Sequence, residues 1–379
     1  MKFSTKAIRS GQEPEAEFGS VIPPIYQTST YVQKSPGEYN GYDYTRAGNP
    51  NFTNLEKTLA SLEEASFATV FSSGLGALTG LVSILVAGDK VVAVDDIYGG
   101  TYRLFTKIFN KFGINLELID MQDLDKVEQS LSQKTKMVII ESPTNPLLKV
   151  IDIKKVTGLA KKYKVLSVVD NTFASPYFQN PIALGADIVW HSTTKYISGH
   201  SDAIGGVIIT NDKKIKEQMD FARMALGLNP SPFDTWLTSK SLKTLAVRMD
   251  QHQKNAFAVA NFFASHPKVK KVYYPGLSSH KNYEVAKTQM KGYSGIVTVD
   301  FNLSLNEVKK LISSFKIFLL AESLGGVESL VNHPGIMTHA SIPKEEREKK
   351  GISDSLVRFS IGIEDTDDLL EDLKATLER

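Results

Sequence analysis

Lys195 stands just past an apolar run of the sequence, and two hydroxyl side chains precede it at alternate positions, Ser192 and Thr194. Hydroxyls in that arrangement can bind a phosphate. A lysine in a partly desolvated, phosphate-bearing pocket can lose its proton and form an imine. A lysine at a strand end is usually only a solvated cap, so the chemical interpretation of Lys195 depends on its neighbours.

Asp170 is the second candidate, and it directly follows the apolar run 165–169. A carboxylate at such a place could simply cap a helix. In the chemical interpretation it pairs with a pyridinium nitrogen and keeps it protonated, so that the ring can accept electrons. Asp170 and Lys195 then lie at the carboxyl ends of strands that are consecutive in the sequence.

A glycine-containing loop at 73–76 joins a predicted strand to a predicted helix, 77–86. Free backbone N–H groups at such a helix start can bind phosphate. The rival interpretation is a dinucleotide-binding fold, because Asp95 and Asp96 lie about 20 residues further on, where a ribose-binding acid belongs. The glycines at 74–80 are spaced G-x-G-x-x-x-G, which misses the spacing that this fold requires.

Short apolar runs position these candidates. They predict strands at 68–71, 90–94, 137–140, 165–169, 187–190 and 206–209, with helical patterns such as 156–162 between them. Runs without polar alternation are buried on both faces, which indicates an α/β fold with a mainly parallel sheet covered by helices. Polar and glycine residues gather after five of these strands, at the edge where open α/β sheets bind ligands.

The pattern changes after about residue 235. A long helical region (233–264), an isolated strand (295–301), a further strand (356–363) and a closing helix (369–377) indicate a smaller α+β domain. At 379 residues two domains are expected. We therefore predict an extended N-terminal arm at 1–45 that contacts a neighbouring subunit, a large domain at 46–235 and a small domain at 236–379.

Composition excludes several classes of function. The 44 basic and 42 acidic residues leave no excess for a nucleic-acid partner, and the absence of cysteine excludes disulfides and thiolate chemistry. The seven histidines form no tight ligand pattern, so no metal site is predicted, and we expect His333 and His339 to make structural hydrogen bonds. The apolar stretches are too short to span a membrane and the first residues do not read as a signal peptide, so we expect a cytoplasmic protein.

Longer motifs at 21–30, 44–50, 141–146, 192–200 and 321–326 carry a resemblance over nearly the whole chain. The sequence resembles the Cys/Met-metabolism enzymes that use pyridoxal 5′-phosphate (PLP), a family of cystathionine lyases and synthases and methionine γ-lyases. The resemblance implies PLP as cofactor and the type I, aspartate aminotransferase-like fold of PLP-dependent transferases. It also implies a homotetramer whose active sites are shared across a dimer interface.

The resemblance implies roles at the cofactor, position by position. Lys195 looks like the Schiff-base lysine, Asp170 like the pyridine partner, and Tyr98 like the tyrosine that stacks on the ring and moves protons. Tyr44 and Arg46 match a pair that reaches the phosphate of a neighbouring subunit, although the plain interpretation of that segment is a surface loop. The phosphate cup is expected from Ser73, Gly74, Leu75, Ser192 and Thr194.

At the substrate, Arg358 resembles the arginine that clamps the α-carboxylate, although by itself it would be placed on an exposed strand. Asn145 and Ser323 would help to orient cofactor and substrate. Glu322 resembles γ-acting members, whereas a β-lyase would tend to have an apolar residue there. Methionine γ-lyases usually carry a cysteine where this sequence has Gly100.

These features favour a sulfur amino acid as substrate and α,γ-elimination of L-cystathionine to L-cysteine, 2-oxobutanoate and ammonia, with Lys195 and Tyr98 moving protons at Cα and Cβ. The nearest alternative is γ-replacement on an O-acylhomoserine with cysteine, as in a cystathionine γ-synthase, and methionine γ-lyase follows. Outside this class, a nicotinamide oxidoreductase predicts no visible absorbance, and a noncatalytic PLP-binding protein predicts colour without turnover.

Overall fold

The computed structural model describes residues 1–338 and 344–378. Up to residue 210 its elements are α1 (Phe3–Arg9), β1 (Gln33–Ser35), β2 (Glu38–Tyr39), α2 (Pro50–Leu62), β3 (Phe67–Phe71), α3 (Gly74–Val82), β4 (Lys90–Val94), α4 (Gly99–Lys107), β5 (Asn115–Ile119), α5 (Leu124–Ser130), β6 (Thr135–Glu141), α6 (Ile153–Lys162), β7 (Leu166–Asp170), α7 (Ser175–Phe178), β8 (Ile188–Ser192) and β9 (Gly206–Thr210), with one 3₁₀ turn at Phe109–Phe112. Beyond it they are α8 (Lys213–Ala225), α9 (Pro232–Leu242), α10 (Leu245–Ala264), β10 (Val269–Tyr273), α11 (Tyr283–Gln289), β11 (Ile296–Phe301), α12 (Leu305–Ile312), β12 (Leu319–Leu320), β13 (Leu330–Asn332), α13 (Lys344–Lys349), β14 (Leu356–Ser360) and α14 (Thr366–Leu377).

The larger sheet has seven strands in the order β3-β9-β8-β7-β6-β4-β5. All neighbouring strands are parallel except that β9 runs antiparallel to both β8 and β3. The predicted mainly parallel sheet is therefore confirmed. Because β9 is reversed, its first residue, Gly206, lies beside the last residues of β3 and β8, Phe71 and Ser192. The carboxyl ends of β3, β4, β6, β7 and β8 thus share one edge.

Strand β5 was not expected from the apolar runs. It is the edge strand of the larger sheet, and its residues are only half-buried or exposed. Its sequence, Asn-Leu-Glu-Leu-Ile, alternates in polarity as a strand with one covered face does. A search for continuous apolar runs therefore passes over it.

The structure of the C-terminal part differs from two of the sequence-based expectations. The strand expected to be isolated is β11, and it lies within a five-stranded sheet ordered β10-β11-β14-β13-β12. Its partners are inconspicuous in the sequence because β10 carries exposed lysines and β12 and β13 are two and three residues long. The single helical region expected at 233–264 is two helices, α9 and α10, separated at Lys243 and Thr244.

The N-terminal segment is only partly the extended arm that the sequence predicts. Helix α1 forms near its start and buries Ala7 in the core beside Phe52 of α2. The stretch after α1 leaves large apolar side chains uncovered, with Phe18 86% and Val32 95% exposed. Its contact with a neighbouring subunit and the domain boundaries at 45 and 235 stay predictions.

Candidate active site

A cavity of about 390 Å³ lies at the carboxyl edge of the larger sheet, a volume typical of small-molecule sites. Strand ends β3, β6, β7 and β8 form one wall, and residues 322–324 with β14 of the smaller sheet form the other. All the predicted site residues except two line it: Ser73, Gly74, Leu75, Tyr98, Asn145, Asp170, Ser192, Thr194, Lys195, Glu322, Ser323 and Arg358.

Lys195 follows the end of β8, and its Nζ donates a hydrogen bond to Ser323 Oγ at 2.9 Å. Burial, and after it the charge of the Arg358 guanidinium, lowers the pKa of the Lys195 ammonium to about 8. About a tenth of this side chain is therefore a neutral amine at pH 7, far more than for a lysine with the ordinary pKa. That is the form in which a lysine attacks a carbonyl carbon.

Ser323 has the left-handed backbone conformation, with φ at 84°, which is costly for any residue with a Cβ. This conformation lets the residue serve two neighbours at once. Its hydroxyl accepts from Lys195, and its carbonyl oxygen accepts from Arg358 Nη2 at 2.8 Å. Ser323 therefore links the lysine of the larger sheet to the arginine of the smaller one.

Arg358 lies in the middle of β14 and is 1% exposed, so the interpretation of this residue as part of an exposed strand is wrong. Its Nη1 donates to Asn145 Oδ1 at 2.8 Å. Burial lowers the pKa of the guanidinium to about 10, which still leaves it cationic at neutral pH. A buried planar cation at a cavity wall is suited to bind a carboxylate in a forked contact.

Asp170 is the last residue of β7, and its Oδ1 accepts from the backbone N–H of Thr172 at 2.9 Å. Burial raises the pKa of this carboxyl. The group lines the cavity, so it can pair with a protonated ring nitrogen of a bound cofactor.

The loop between β3 and α3 has the close packing that a phosphate site needs. Ser73 Oγ accepts from Gly76 N at 2.9 Å and so caps α3, whose first turn borders the cavity. A Cβ on Gly74 would lie 2.9 Å from Ser192 Cβ, and one on Gly206 would lie 2.2 Å from the carbonyl oxygen of Ser73. Because these two positions are glycine, the hydroxyls of Ser73 and Ser192 can lie close to the first turn of α3. This arrangement fits a phosphate cup.

Tyr44 and Arg46 are the two predicted residues that do not line the cavity. They border a separate groove of about 340 Å³ together with Thr28 and Asn229. The Arg46 guanidinium carbon lies 5.5 Å from the centre of the Tyr44 ring, and Tyr44 is 45% exposed. Their predicted role at the phosphate of a neighbouring subunit stays a prediction.

Glu141 is a site residue whose role the sequence reasoning missed. This buried carboxylate accepts from Tyr98 N at 3.0 Å and from Asn145 N at 2.7 Å, so it fixes two loops of the cavity wall. Burial, and after it the nearby Asp170, raises its pKa well above the ordinary range. The sequence does contain a signal for it, an acidic residue directly after the apolar run 137–140.

Comparison with known proteins places this site in a family. Residues 4–378 match the family described as Cys/Met metabolism PLP-dependent enzyme. The chain belongs to this family. It is 49% identical over 379 residues to a cystathionine gamma-lyase of Dictyostelium discoideum, covering 100% of this chain and 98% of the relative. It is 47% identical over 377 residues to a cystathionine beta-lyase of Coxiella burnetii, covering 99% and 97%.

A solved structure agrees with these relatives. The cystathionine gamma synthase of Xanthomonas oryzae pv. oryzae in complex with cystathionine superposes with a TM-score of 0.97, at 42% identity over 100% of this chain and 98% of that one. The predicted type I PLP fold is confirmed, and so is the predicted family. The chain is a PLP-dependent enzyme of carbon–sulfur chemistry, whose relatives divide among γ-lyases, β-lyases and γ-synthases.

The cavity fits PLP on its own structure. It offers a desolvated amine in Lys195, a buried carboxylate in Asp170 and a glycine-lined cup of hydroxyls at the start of α3. Within residues 1–338 and 344–378, no helix is long and apolar enough to cross a membrane, and no group of three or more histidine or acidic side chains could hold a metal ion.

Proposed function

We propose that this enzyme is a cystathionine γ-lyase. It cleaves the Cγ–S bond of L-cystathionine with uptake of one water, and the products are L-cysteine, 2-oxobutanoate and ammonia. The observation that carries the proposal is the presence of two opposite charges, Arg358 and Glu322, in the same cavity as Lys195. A substrate with a carboxylate at one end and an amino-acid ammonium at the other matches that arrangement.

The electrostatics of the cavity support this matching. Burial lowers the pKa values of Lys195 and Arg358, and the Glu322 carboxylate partly opposes the shift at both. Glu322 is therefore close enough to influence both cations. With Arg358 holding the α-carboxylate, the Glu322 carboxylate is available to the ammonium group beyond the sulfur atom of cystathionine, where an apolar residue would offer no such contact.

Lys195 and Tyr98 carry the proton transfers in this proposal. Bound PLP supplies the electron sink. When substrate is bound at the cofactor and the Lys195 amine is free, this amine can take the proton from Cα. Its hydrogen bond to Ser323 keeps it at the cavity wall. Lys195 and Tyr98 then move the β-proton, and the sulfur leaves as the thiol of cysteine.

Cystathionine γ-synthase is the second candidate. The similar synthase structure holds cystathionine, so the same fold serves γ-replacement, in which the cysteine sulfur bonds to Cγ and the acyl group of an O-acylhomoserine leaves from Cγ as a carboxylate. Methionine γ-lyase is less favoured. A Cβ at Gly100 would lie 2.3 Å from Tyr98 Cε1, so the cysteine usual in those enzymes would displace this tyrosine ring.

The test is a product assay on the purified holoenzyme with cystathionine, homocysteine and methionine, each with and without an activated homoserine ester and cysteine. A γ-lyase yields cysteine and 2-oxobutanoate from cystathionine. Homocysteine and pyruvate would instead assign a β-lyase, and net formation of cystathionine from the ester would assign the synthase. A spectrum without visible absorbance would contradict the whole class.

Glu322→Gln and Glu322→Ala sharpen the assignment. We expect kcat/KM for cystathionine to fall about tenfold or more in both, since a charge-assisted contact is lost. Methionine lacks the distal ammonium, so its kcat/KM should change little. An equal loss with both substrates would show that Glu322 does not recognise the distal group.

A further inference from the structure

A second cavity, of about 440 Å³, lies between the two sheets, away from the residues that line the active site. The larger sheet contributes Asp120 and Gln122 after β5 and Leu147 and Lys149 after β6. The smaller sheet contributes β10, the loop at 279–282, and 348–351. We call it the seam cavity, since its walls belong to different sheets.

The seam cavity is strongly basic. Five lysines line it, against the two carboxylates Asp120 and Glu348. Lys149 is neutralised by Asp95 at 2.8 Å, and Glu348 is engaged by Lys344 at 3.6 Å. The other four lysines, which we call the seam lysines, are Lys271, Lys281, Lys349 and Lys350.

The contacts described for the seam lysines are with neutral groups. Lys271 Nζ lies 4.5 Å from the centre of the Tyr273 ring, and Lys350 Nζ lies 6.0 Å from that of Tyr102. Lys281 Nζ donates to Gln122 Oε1 at 3.1 Å. Asp120 lines the same cavity and offsets one of these four charges. The remaining positive charges repel one another, and a bound multivalent anion removes that cost.

Hydrogen bonds link the walls of the seam cavity to the loop that also contacts Arg358 in the active site. Gln122 Nε2 donates to Asn282 Oδ1, and His280 Nε2 lies 3.0 Å from the carbonyl oxygen of Leu148. Leu148 belongs to the same loop as Asn145, the partner of Arg358. Pro146 of this loop accepts from Thr298 Oγ1 of β11 at 2.7 Å. One short loop therefore contacts the seam cavity and the active site.

We propose that the seam cavity binds a small multivalent anion, of the phosphate or polycarboxylate type, and that its occupancy draws the two sheets together and strengthens substrate binding. Lysines recognise such groups as point charges without a fixed geometry, so the class of ligand is defined by its charge and size. Anion binding at the seam cavity is regulatory, and it does not depend on which carbon–sulfur reaction the active site performs.

The test uses the PLP-loaded enzyme with inorganic pyrophosphate and with citrate as probes, followed by isothermal titration calorimetry and by steady-state kinetics. We expect saturable binding that weakens as ionic strength rises, and a lower KM with kcat nearly unchanged. In Lys271→Ala/Lys281→Ala, two exposed side chains are truncated, so folding should persist and binding should weaken about tenfold or more.

The matched control is Lys213→Ala/Lys254→Ala, which removes two exposed lysines of α8 and α10 outside the cavity. It should bind the probes like the wild type. Equal binding in both double variants, or no binding in the wild type, would overturn the site. Binding that leaves KM unchanged, or that raises it competitively, would overturn the coupling. Loss of carbon–sulfur activity in all proteins would instead count against the proposed function.

Discussion

Two half-buried lysines lie at the carboxyl edge of the same sheet, and their surroundings give them opposite properties. Lys195 follows β8 and has a hydroxyl as its partner, and burial together with Arg358 lowers its pKa to about 8. Lys149 follows β6. Burial alone would lower its pKa, but Asp96 and Asp95 raise it above the ordinary value. The same residue type is thus prepared for chemistry at one place and for structure at the other.

Desolvation turns a lysine into a nucleophile only where no neighbouring carboxylate compensates the lost hydration of the ammonium. Asp95 lies 2.8 Å from the Lys149 ammonium, whereas the residue hydrogen-bonded to Lys195 is the uncharged Ser323. A carboxylate in contact with Lys195 would restore its proton and remove the attacking lone pair. The more distant charge of Glu322 opposes the shift only in part.

Exchanging each lysine for a side chain without an amine should give the largest contrast. In Lys195→Ala we expect the visible absorbance of lysine-bound PLP to vanish and turnover to fall by about 10⁴-fold or more, because one residue supplies both the covalent link and the base. Lys149→Met should keep the absorbance but unfold more easily, since Asp96 loses its cation. A visible band in Lys195→Ala would show that another amine holds the cofactor.

Arg358→Lys comes next in size. The introduced lysine keeps a positive charge near Lys195. Its single ammonium cannot donate to Asn145 and Ser323 while also making two parallel hydrogen bonds to a carboxylate. We expect KM to rise about hundredfold with a smaller change in kcat, because a buried charged hydrogen bond is lost. Steady-state kinetics with cystathionine check this. A kcat loss at unchanged KM would place Arg358 in the proton transfers and not in binding.

The sequence predicts the larger sheet well because its strands are apolar on both faces, and polar residues after them mark the cavity. Its weak points have physical causes. The edge strand β5 is half-exposed, and β12 and β13 are too short to form a pattern. Arg358 was expected to be exposed, because its burial depends on Asn145 and the backbone of Ser323, which are 213 and 35 residues away.

The roles of single site residues depend on distances that no local pattern contains. The sequence could place Glu141 at a strand end, but its bonds to the Tyr98 and Asn145 N–H groups come from how two loops meet. His339 lies outside the described residues. His333 makes the structural contact expected of it, with Nε2 at 2.9 Å from the carbonyl oxygen of Asp354.

The smallest effect concerns the carboxylate side of the Lys149 pair. Burial raises the pKa of Asp96 from 3.8 to about 6, despite the opposing charge of Lys149. The folded protein then holds a proton that the unfolded chain has already lost, so the contribution of Asp96 to the free energy of unfolding is present below pH 3.8 and declines as pH rises through about 6. In Asp96→Asn this decline should disappear, while the bond from Thr144 Oγ1 persists. Urea unfolding of both proteins across this pH range measures the decline.

Asp123 at the start of α5 is the control, because the Lys126 N–H lowers its pKa. Asp123→Asn should therefore change the pH dependence of the free energy of unfolding in the opposite sense. A constant difference in the free energy of unfolding between wild type and Asp96→Asn would mean that Asp96 is charged across this pH range. The sites of Lys149 and Lys195 would then differ less than their burial indicates.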